Sequence, residues 1–444
     1  MAKHCSQFLY DFGGFKRAIN ADFSTLKFTR NQMKIPLAIL FLLCVTNSFS
    51  QEKELRFYIE KAQTNSPLLN DLSNQIKSNA IDSLITKASY KPQVTGNLLA
   101  NYAPNYNGFG YDNAITNGQS VSGLVGINQK IMSKNRINTQ AETFKLLKEG
   151  LVLNKKIAFK DLNKTIVSQY ISASGNQEQI VYNQKILELL KSESQILKKL
   201  TQNSIYKQTD YLIFLSTVQH QELQVLSLKQ QYQNDLGLLN YLSGENDTTF
   251  VRLKNPKITL KSLKNNEKFV FLKQFEIDSL KIQNQNKLID NNYKPTAALL
   301  GDAGYLSSFA SQGYKNFGLS VGFGLSIPIY DGGQKALQHQ KNEIALATNL
   351  GYKTNFNKQY QQQLTMLHLK LQQTFATEKQ LHSQLQISEA LIEADKKLLV
   401  SGDAQITDFV IAITTIIAIN NTISQNKINQ LQLINEINYW NSND

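Results

Sequence analysis

The chain has 444 residues, 41% hydrophobic and 18% charged, and its 47 Lys and Arg against 34 Asp and Glu give a formal charge of +13. Its two cysteines, Cys5 and Cys44, both fall in the first fifty residues, which excludes a disulfide framework beyond them. The lysines are interleaved with Glu, Gln and Asn as on a solvated helix face, which excludes a clustered nucleic-acid site.

The N-terminus reads as a leader covering residues 1–50. Residues 1–32 carry no targeting pattern, which points to Met33 as the true initiator. From there Lys34 supplies a positive flank, residues 35–45 are apolar but too short to span a bilayer, and Ser48-Phe49-Ser50 offers a small-x-small cleavage site before Gln51. Residues 33–50 are therefore expected to be a signal peptide. Cys44 follows Leu43 rather than a small residue, so lipid acylation is not expected. Removal of residues 1–50 leaves 41 Lys and Arg against 32 Asp and Glu, a net charge of +9, and no thiol. No run of about 20 apolar residues follows, so no transmembrane helix is expected and the strands must decide the compartment.

After the leader, an early helix breaks at Asn65-Ser66-Pro67, where proline removes a helical hydrogen bond. Tyr90-Lys91-Pro92 then opens a pattern of strand, Gly/Asn-rich loop, strand and very long helix. The same pattern restarts 203 residues later at Tyr293-Lys294-Pro295, so one unit was built twice. The first-copy strands are expected near residues 93–103 and 120–128, and the second-copy strands near 296–306 and 318–329. In the last of these, Leu319, Val321, Phe323, Leu325 and Ile327 alternate with Gly and Ser, the period-two signature of a membrane β-strand. Its counterpart sets Val121, Gly123, Val125 and Ile127 on one face. Val94, Leu98 and Tyr102, like Ala297, Leu299 and Tyr305, share a face in the first strand of each pair. Four strands cannot close a barrel alone, and open strand edges are not tolerated in lipid, so several chains must share one barrel.

Helices are expected at about 134–202 and 210–242 in the first copy, and at about 334–399 and 408–440 in the second. Each carries a narrow apolar seam, such as Leu187, Leu190, Ser194 and Leu197, or Leu228, Tyr232, Leu236 and Leu239, with Asn and Gln spread over the remaining, water-facing surface. At 1.5 Å per residue, ~70 residues reach about 100 Å. Thr407 or Asp408 is a natural N-cap for the last helix. An extended coiled coil, as in an exported helical adhesin, is the competing explanation for the helices, but it leaves the strand pairs unexplained. Beyond residue 50 the four histidines, His220, His339, His368 and His382, show no metal-site spacing with carboxylates, and there is no cysteine nucleophile. Neither catalytic residues, a metal nor a cofactor are expected.

Three motifs carry a resemblance, the first being the early helix break at Ala62-Gln63-Thr64-Asn65-Ser66-Pro67. Ile327-Pro328-Ile329-Tyr330-Asp331-Gly332-Gly333 is a strand-to-helix junction, answered in the first copy by a degenerate 128–134 segment that keeps Gln129. Gly402-Asp403-Ala404-Gln405-Ile406-Thr407-Asp408-Phe409 is a helix reversal. It is matched by Ser204 and Thr209-Asp210-Tyr211 in the first copy. In order, spacing and duplication these resemble the TolC-type outer-membrane efflux protein family over residues 52–442. The resemblance implies a mainly α protein with a transmembrane β-barrel, in which three chains of four strands build a twelve-stranded barrel above a periplasmic α-helical tunnel. It divides the chain into a first efflux repeat at 51–242, an equatorial inter-repeat segment at 243–266 and a second repeat at 267–444.

The resemblance further implies a homotrimer in the outer membrane that works with a periplasmic adaptor and an inner-membrane pump of RND, MFS or ABC type, as the outer duct of an efflux or type I secretion system. The tips, Ser204, Thr209 and Asp210 with Gly402, Thr407 and Asp408, would meet the adaptor. Asp408 also matches one position of an acidic gate ring whose other position is Ile411 here.

Overall fold

The computed structural model describes residues 52–116, 118–247, 249–261, 270–308, 312–403 and 405–441. The expected leader, Ala404 at the second reversal and the end of the 243–266 segment lie outside them. Contacts divide the chain into Met1–Lys53 and Glu54–Asp444, and all named elements fall in the second unit.

Helices α1 (Leu55–Asn65) and α2 (Pro67–Ala88) lead in. They are separated where expected: the Ser66 hydroxyl accepts from the Leu69 N–H and Pro67 occupies the first helical position. Strands β1 (Gln93–Tyr102) and β2 (Gln119–Ile131) follow, then α3 (Lys134–Gln202) and its return α4 (Gln208–Ser243). The second copy repeats the order with α5 (Val270–Asn292), β3 (Thr296–Ser307), β4 (Phe317–Ser326), α6 (Gln334–Ser401) and α7 (Ile406–Asn441). The 69 residues of α3 extend about 100 Å. Strand β4 stops at Ser326, short of Ile329, because Pro328 has no N–H to give a ladder.

The four strands form one antiparallel sheet in the order β1-β2-β3-β4, so the two copies meet where β2 pairs with β3. The register joins the separate strand faces into one surface. Val94 opposes Ile127, Ile127 opposes Gly301 and Gly301 opposes Val321. Leu319 opposes Ala303, which opposes Val125. This surface is apolar and open: Leu98 is 86%, Leu319 80% and Val321 82% exposed. The other face carries Thr95, Asn97, Asn128, Lys130, Asp302 and Ser320. At the loop end Tyr305 packs on Phe317 with ring centroids 5.7 Å apart, and Tyr106, Phe109 and Tyr314 in the strand-to-strand loops are exposed.

Two expectations about the helices need correction. Asn and Gln are not confined to water-facing surface: Asn79, Asn183, Gln221, Asn284, Asn291, Asn426, Gln430 and Asn435 are buried. Each long pair of helices meets along a narrow seam, and these amides bridge it. Gln221 Nε2 donates to Asn183, Asn426 donates to the Thr374 carbonyl and Asn435 to the Lys164 carbonyl. Second, α7 is long and apolar enough in composition to cross a membrane, contrary to the expectation that no such stretch follows residue 50. Six of its ten isoleucines, Ile406, Ile413, Ile416, Ile419, Ile428 and Ile437, are buried against neighbouring helices, while Ile411 is 62% exposed.

Between the copies, residues 249–261 lie across the helices as a strap. Gln177 both accepts from the Leu253 N–H and donates to its carbonyl, at 2.8 and 2.9 Å, as a strand neighbour would. Tyr232 and Tyr170 donate to the carbonyls of Val251 and Lys254, and Asn438 bonds both Lys261 and Thr259. Tyr58, Tyr170, Tyr232 and Leu253 form a buried cluster beneath it. Burial pushes the Tyr58 hydroxyl up to about 12, and the Tyr170 and Tyr232 hydroxyls are raised further for the same reason.

Candidate functional site

Two places combine unusual backbone with cross-copy contacts: the strand-to-helix junctions and the helix reversals. At the second junction Gly332 and Gly333 take successive left-handed conformations, φ 64° and 84°, which a side chain would strain. The Asp331 carboxylate turns back to accept from the Gly333 and Lys335 N–H groups at 2.9 and 2.7 Å, capping α6. These bonds, Lys335 first, hold its pKa below the usual carboxylate range. Burial first, and then the neighbouring Asp331 carboxylate, raises the Tyr293 pKa, which places the Tyr-Lys-Pro motif before the hairpin beside the junction after it.

Asp290, one turn earlier on α5, pairs with Lys335 at 2.9 Å and His339 at 3.2 Å, and the Lys335 bond leads in lowering its pKa. Tyr330 beside Pro328 is 89% exposed and points away from the fold. The first junction reaches the same end with other atoms. Gln129 Nε2 donates to the Tyr90 carbonyl at 2.9 Å, and the Ser133 hydroxyl accepts from Arg136 N–H to cap α3.

At the reversals, Ser204 and Gly402 occupy equivalent left-handed positions, φ 62° and 84°. Gly402 is also constrained by space, since a Cβ there would come within 2.9 Å of Ile205 Cγ2 on the other reversal. Helix α4 starts at Gln208, with Lys207 as N-cap and Asp210 as the third helical residue, whose carboxylate accepts from the Lys207 N–H at 3.1 Å. A lysine side chain cannot accept in return, so only this half of a capping box is made. Thr209 lies exposed beside it.

Helix α7 starts at Ile406, because the Asp408 and Phe409 N–H groups already bond the Gln405 carbonyl. Neither Thr407 nor Asp408 is therefore its N-cap: Thr407 is the second helical residue and Asp408 the third, both exposed. The sequence placed the cap too late because Thr and Asp are strong cap formers, while the turn that follows Gly402 starts the helix at Ile406, with Gln405 in the cap position.

The two reversals pack on each other. Leu190, Leu197, Phe214, Val218, Leu399, Ile406, Phe409 and Ile413 make one buried cluster, in which Phe214 and Phe409 stack with their rings 8° from parallel. The Tyr206 hydroxyl donates to the Leu399 carbonyl at 3.1 Å. Glu193, 4% exposed, pairs with Lys396 at 3.0 Å. Sequence reasoning missed these residues: an aromatic on a helical stripe reads as ordinary core, and a buried glutamate has no periodic signature. Asp408 and Asp395 share a groove of about 340 Å³ with Ile411 and Thr415. No group of three or more metal-ligating side chains occurs among the described residues.

No family model and no curated protein matches the sequence. Solved structures do match the fold. A membrane protein from Pseudomonas aeruginosa aligns over 87% of this chain and 89% of its own, at 14% identity and a TM-score of 0.72. The outer-membrane channel OprN aligns over 87% and 89% of the two chains, at 15% identity and a TM-score of 0.70. The outer membrane protein VceC from Vibrio cholerae covers 88% of this chain and 97% of its own, at 14% identity and a TM-score of 0.70. With its duplicated order of strand pair and long helical hairpin, the chain has the fold of TolC-type outer-membrane channels.

Proposed function

We propose that the protein is an export duct of a bacterial outer membrane, a passive channel and not an enzyme, with its helices reaching into the periplasm. The observation that carries this reading is the sheet. Its apolar face is open and, among the described residues, neither β1 nor β4 has a partner on its outer edge, an arrangement that lipid and further strands would satisfy and water would not. Three copies, pairing β1 of one with β4 of the next, close a barrel of twelve strands, and the helices continue it as a tunnel. Ser204, Thr209 and Asp210 with Gly402, Thr407 and Asp408 are the tip surface offered to a periplasmic adaptor, which connects the duct to an inner-membrane pump.

The contacts between the hairpins hold the tip in its closed form, and opening requires that Phe214–Phe409 and Glu193–Lys396 separate. Asp408 contributes to a cation-sensitive constriction, and Asp395 on the facing helix supplies the second carboxylate that Ile411 does not. Replacing Asp408 with Asn weakens multivalent-cation block in planar bilayers; block equal to the parent's leaves Asp408 a first-turn helix residue only. The reading as a whole is tested by fractionation. Heat-modifiable trimers in the outer-membrane fraction support it, and a soluble elongated species with little β signal overturns it in favour of a helical surface protein.

A further inference from the structure

Where the sheet meets the helices lies a cavity of about 790 Å³, within the range of small-molecule sites. Its lining draws on the end of α2, the end of β2, the first turns of α3, and the adjoining ends of β3 and β4. Asn128, Lys130, Thr296 and Ser326 come from the polar face of the sheet, the one that lines the lumen if the apolar face meets lipid. Tyr90 and Arg136 complete the polar part. No carboxylate lines the cavity, and two cations do. Neither cation is neutralised: among the described residues the Lys130 ammonium and the Arg136 guanidinium make no ion pair, although Arg136 is half-buried. An uncompensated, partly desolvated guanidinium is costly, and an anion is what offsets it. Met132 adds apolar wall beside the charges, whereas Ile131 and Leu325 at the cavity's edge belong to the apolar face of the sheet.

We propose that this cavity is a binding site for organic anions of drug size, an anionic group held by Lys130 and Arg136 and the rest of the solute against Met132 and the small side chains of Thr296, Ala298 and Ser326. This deepens the duct reading by naming a class of cargo: solutes bearing carboxylate, sulfonate or phosphate groups dwell at the neck between barrel and tunnel. Three copies repeat the two cations around the lumen and make the neck favour anions over cations. Asp302, the acid on the same sheet face, does not cancel this charge at the neck. It stands six residues up β3 from Thr296, about 20 Å away along the strand, and is engaged by the Ser320 hydroxyl at 2.5 Å.

The test is equilibrium binding of the fluorescent trianion pyranine to the purified full-length protein in detergent, with the parent compared with Lys130→Gln, Arg136→Gln and the double variant. Each single change is expected to weaken binding about tenfold, the double change more, and rising salt is expected to erode the parent's affinity towards that of the variants. Unchanged melting temperature shows that the variants are folded, and Arg136→Lys is expected to restore part of the loss. Parent and double variant binding pyranine equally, or neither binding it, overturns the proposal. The cavity lies within one protomer, so the assay reads out even if no trimer or conductance is found. Failure of the duct reading is thus seen separately, in fractionation. In bilayers the reversal potential under a KCl gradient moves towards cation preference in the double variant; an unmoved potential refutes the neck as a charge filter.

Discussion

The two copies of the repeat differ most where they do the same job. At the junctions, the second uses a carboxylate, Asp331, and two left-handed glycines, whereas the first uses the neutral Ser133 and the amide of Gln129. At the reversals, the second has Gly402, which relieves both backbone strain and contact with Ile205, whereas the first holds Ser204 at φ 62° and adds the Asp210 half-cap. A duplicated fold conserves the backbone requirement and leaves its chemical solution free. The first copy carries strain that local hydrogen bonds offset, and the second carries charge that can titrate.

This comparison can be broken at several points. The largest effect is expected from Phe409→Ala, which empties the stacked contact with Phe214 and costs about 3–5 kcal/mol of tip stability. Hydrogen exchange should then rise in both reversals; a rise in the second alone would mean that the hairpins are independent. Lys396→Met leaves the buried Glu193 without its cation and costs about 2 kcal/mol, less than a fully buried pair because the lysine is half-exposed. Larger open-channel conductance in bilayers is the corresponding readout, and unaltered conductance would remove this pair from the gate.

The reversal residues should respond with opposite signs. Gly402→Ala costs about 1–3 kcal/mol through positive φ, in addition to the approach to Ile205, whereas Ser204→Gly relieves about 1 kcal/mol. Thermal unfolding that moves the same way for both would show that the positions are not equivalent.

The smallest effect concerns pH. Asp331 and Asp290 have folded pKa values below their unfolded ones. Their contribution is present above pH about 4 and is lost as pH falls through the depressed folded values. Acid should therefore loosen the start of α6 while α3, capped by Ser133, is unaffected, and amide exchange at Gln334–Leu337 against Arg136–Thr139 measures the contrast.

Much of this architecture was legible in the sequence because it is periodic. The alternation in Leu319–Leu325 and the stripe Leu228–Leu239 are local patterns, and the bounds of α3 and α4 follow from them to within about two residues. The offset between Tyr90-Lys91-Pro92 and Tyr293-Lys294-Pro295 placed the junctions and reversals. What escaped depends on partners far apart in the chain. Glu193 and Lys396, Gln177 and Leu253, and the amides that bridge helix seams acquire their roles only when the helices are laid side by side. The start of α7 escaped for another reason: a strong cap former, Thr407, stood five residues beyond a stronger turn former, Gly402 with its αL backbone.

The central claim is that β1 of one protomer pairs with β4 of its partner. Within one chain these edges are three strand spacings apart, about 14 Å, too far for a disulfide. Asn97→Cys on β1 combined in turn with Gly318→Cys, Ser320→Cys and Gly322→Cys on β4 therefore reports only intermolecular pairing. Oxidation in outer membranes should give a ladder that ends at the trimer for at least one combination. A set of combinations that stays monomeric, or a ladder that runs past the trimer, would contradict a closed barrel of three chains.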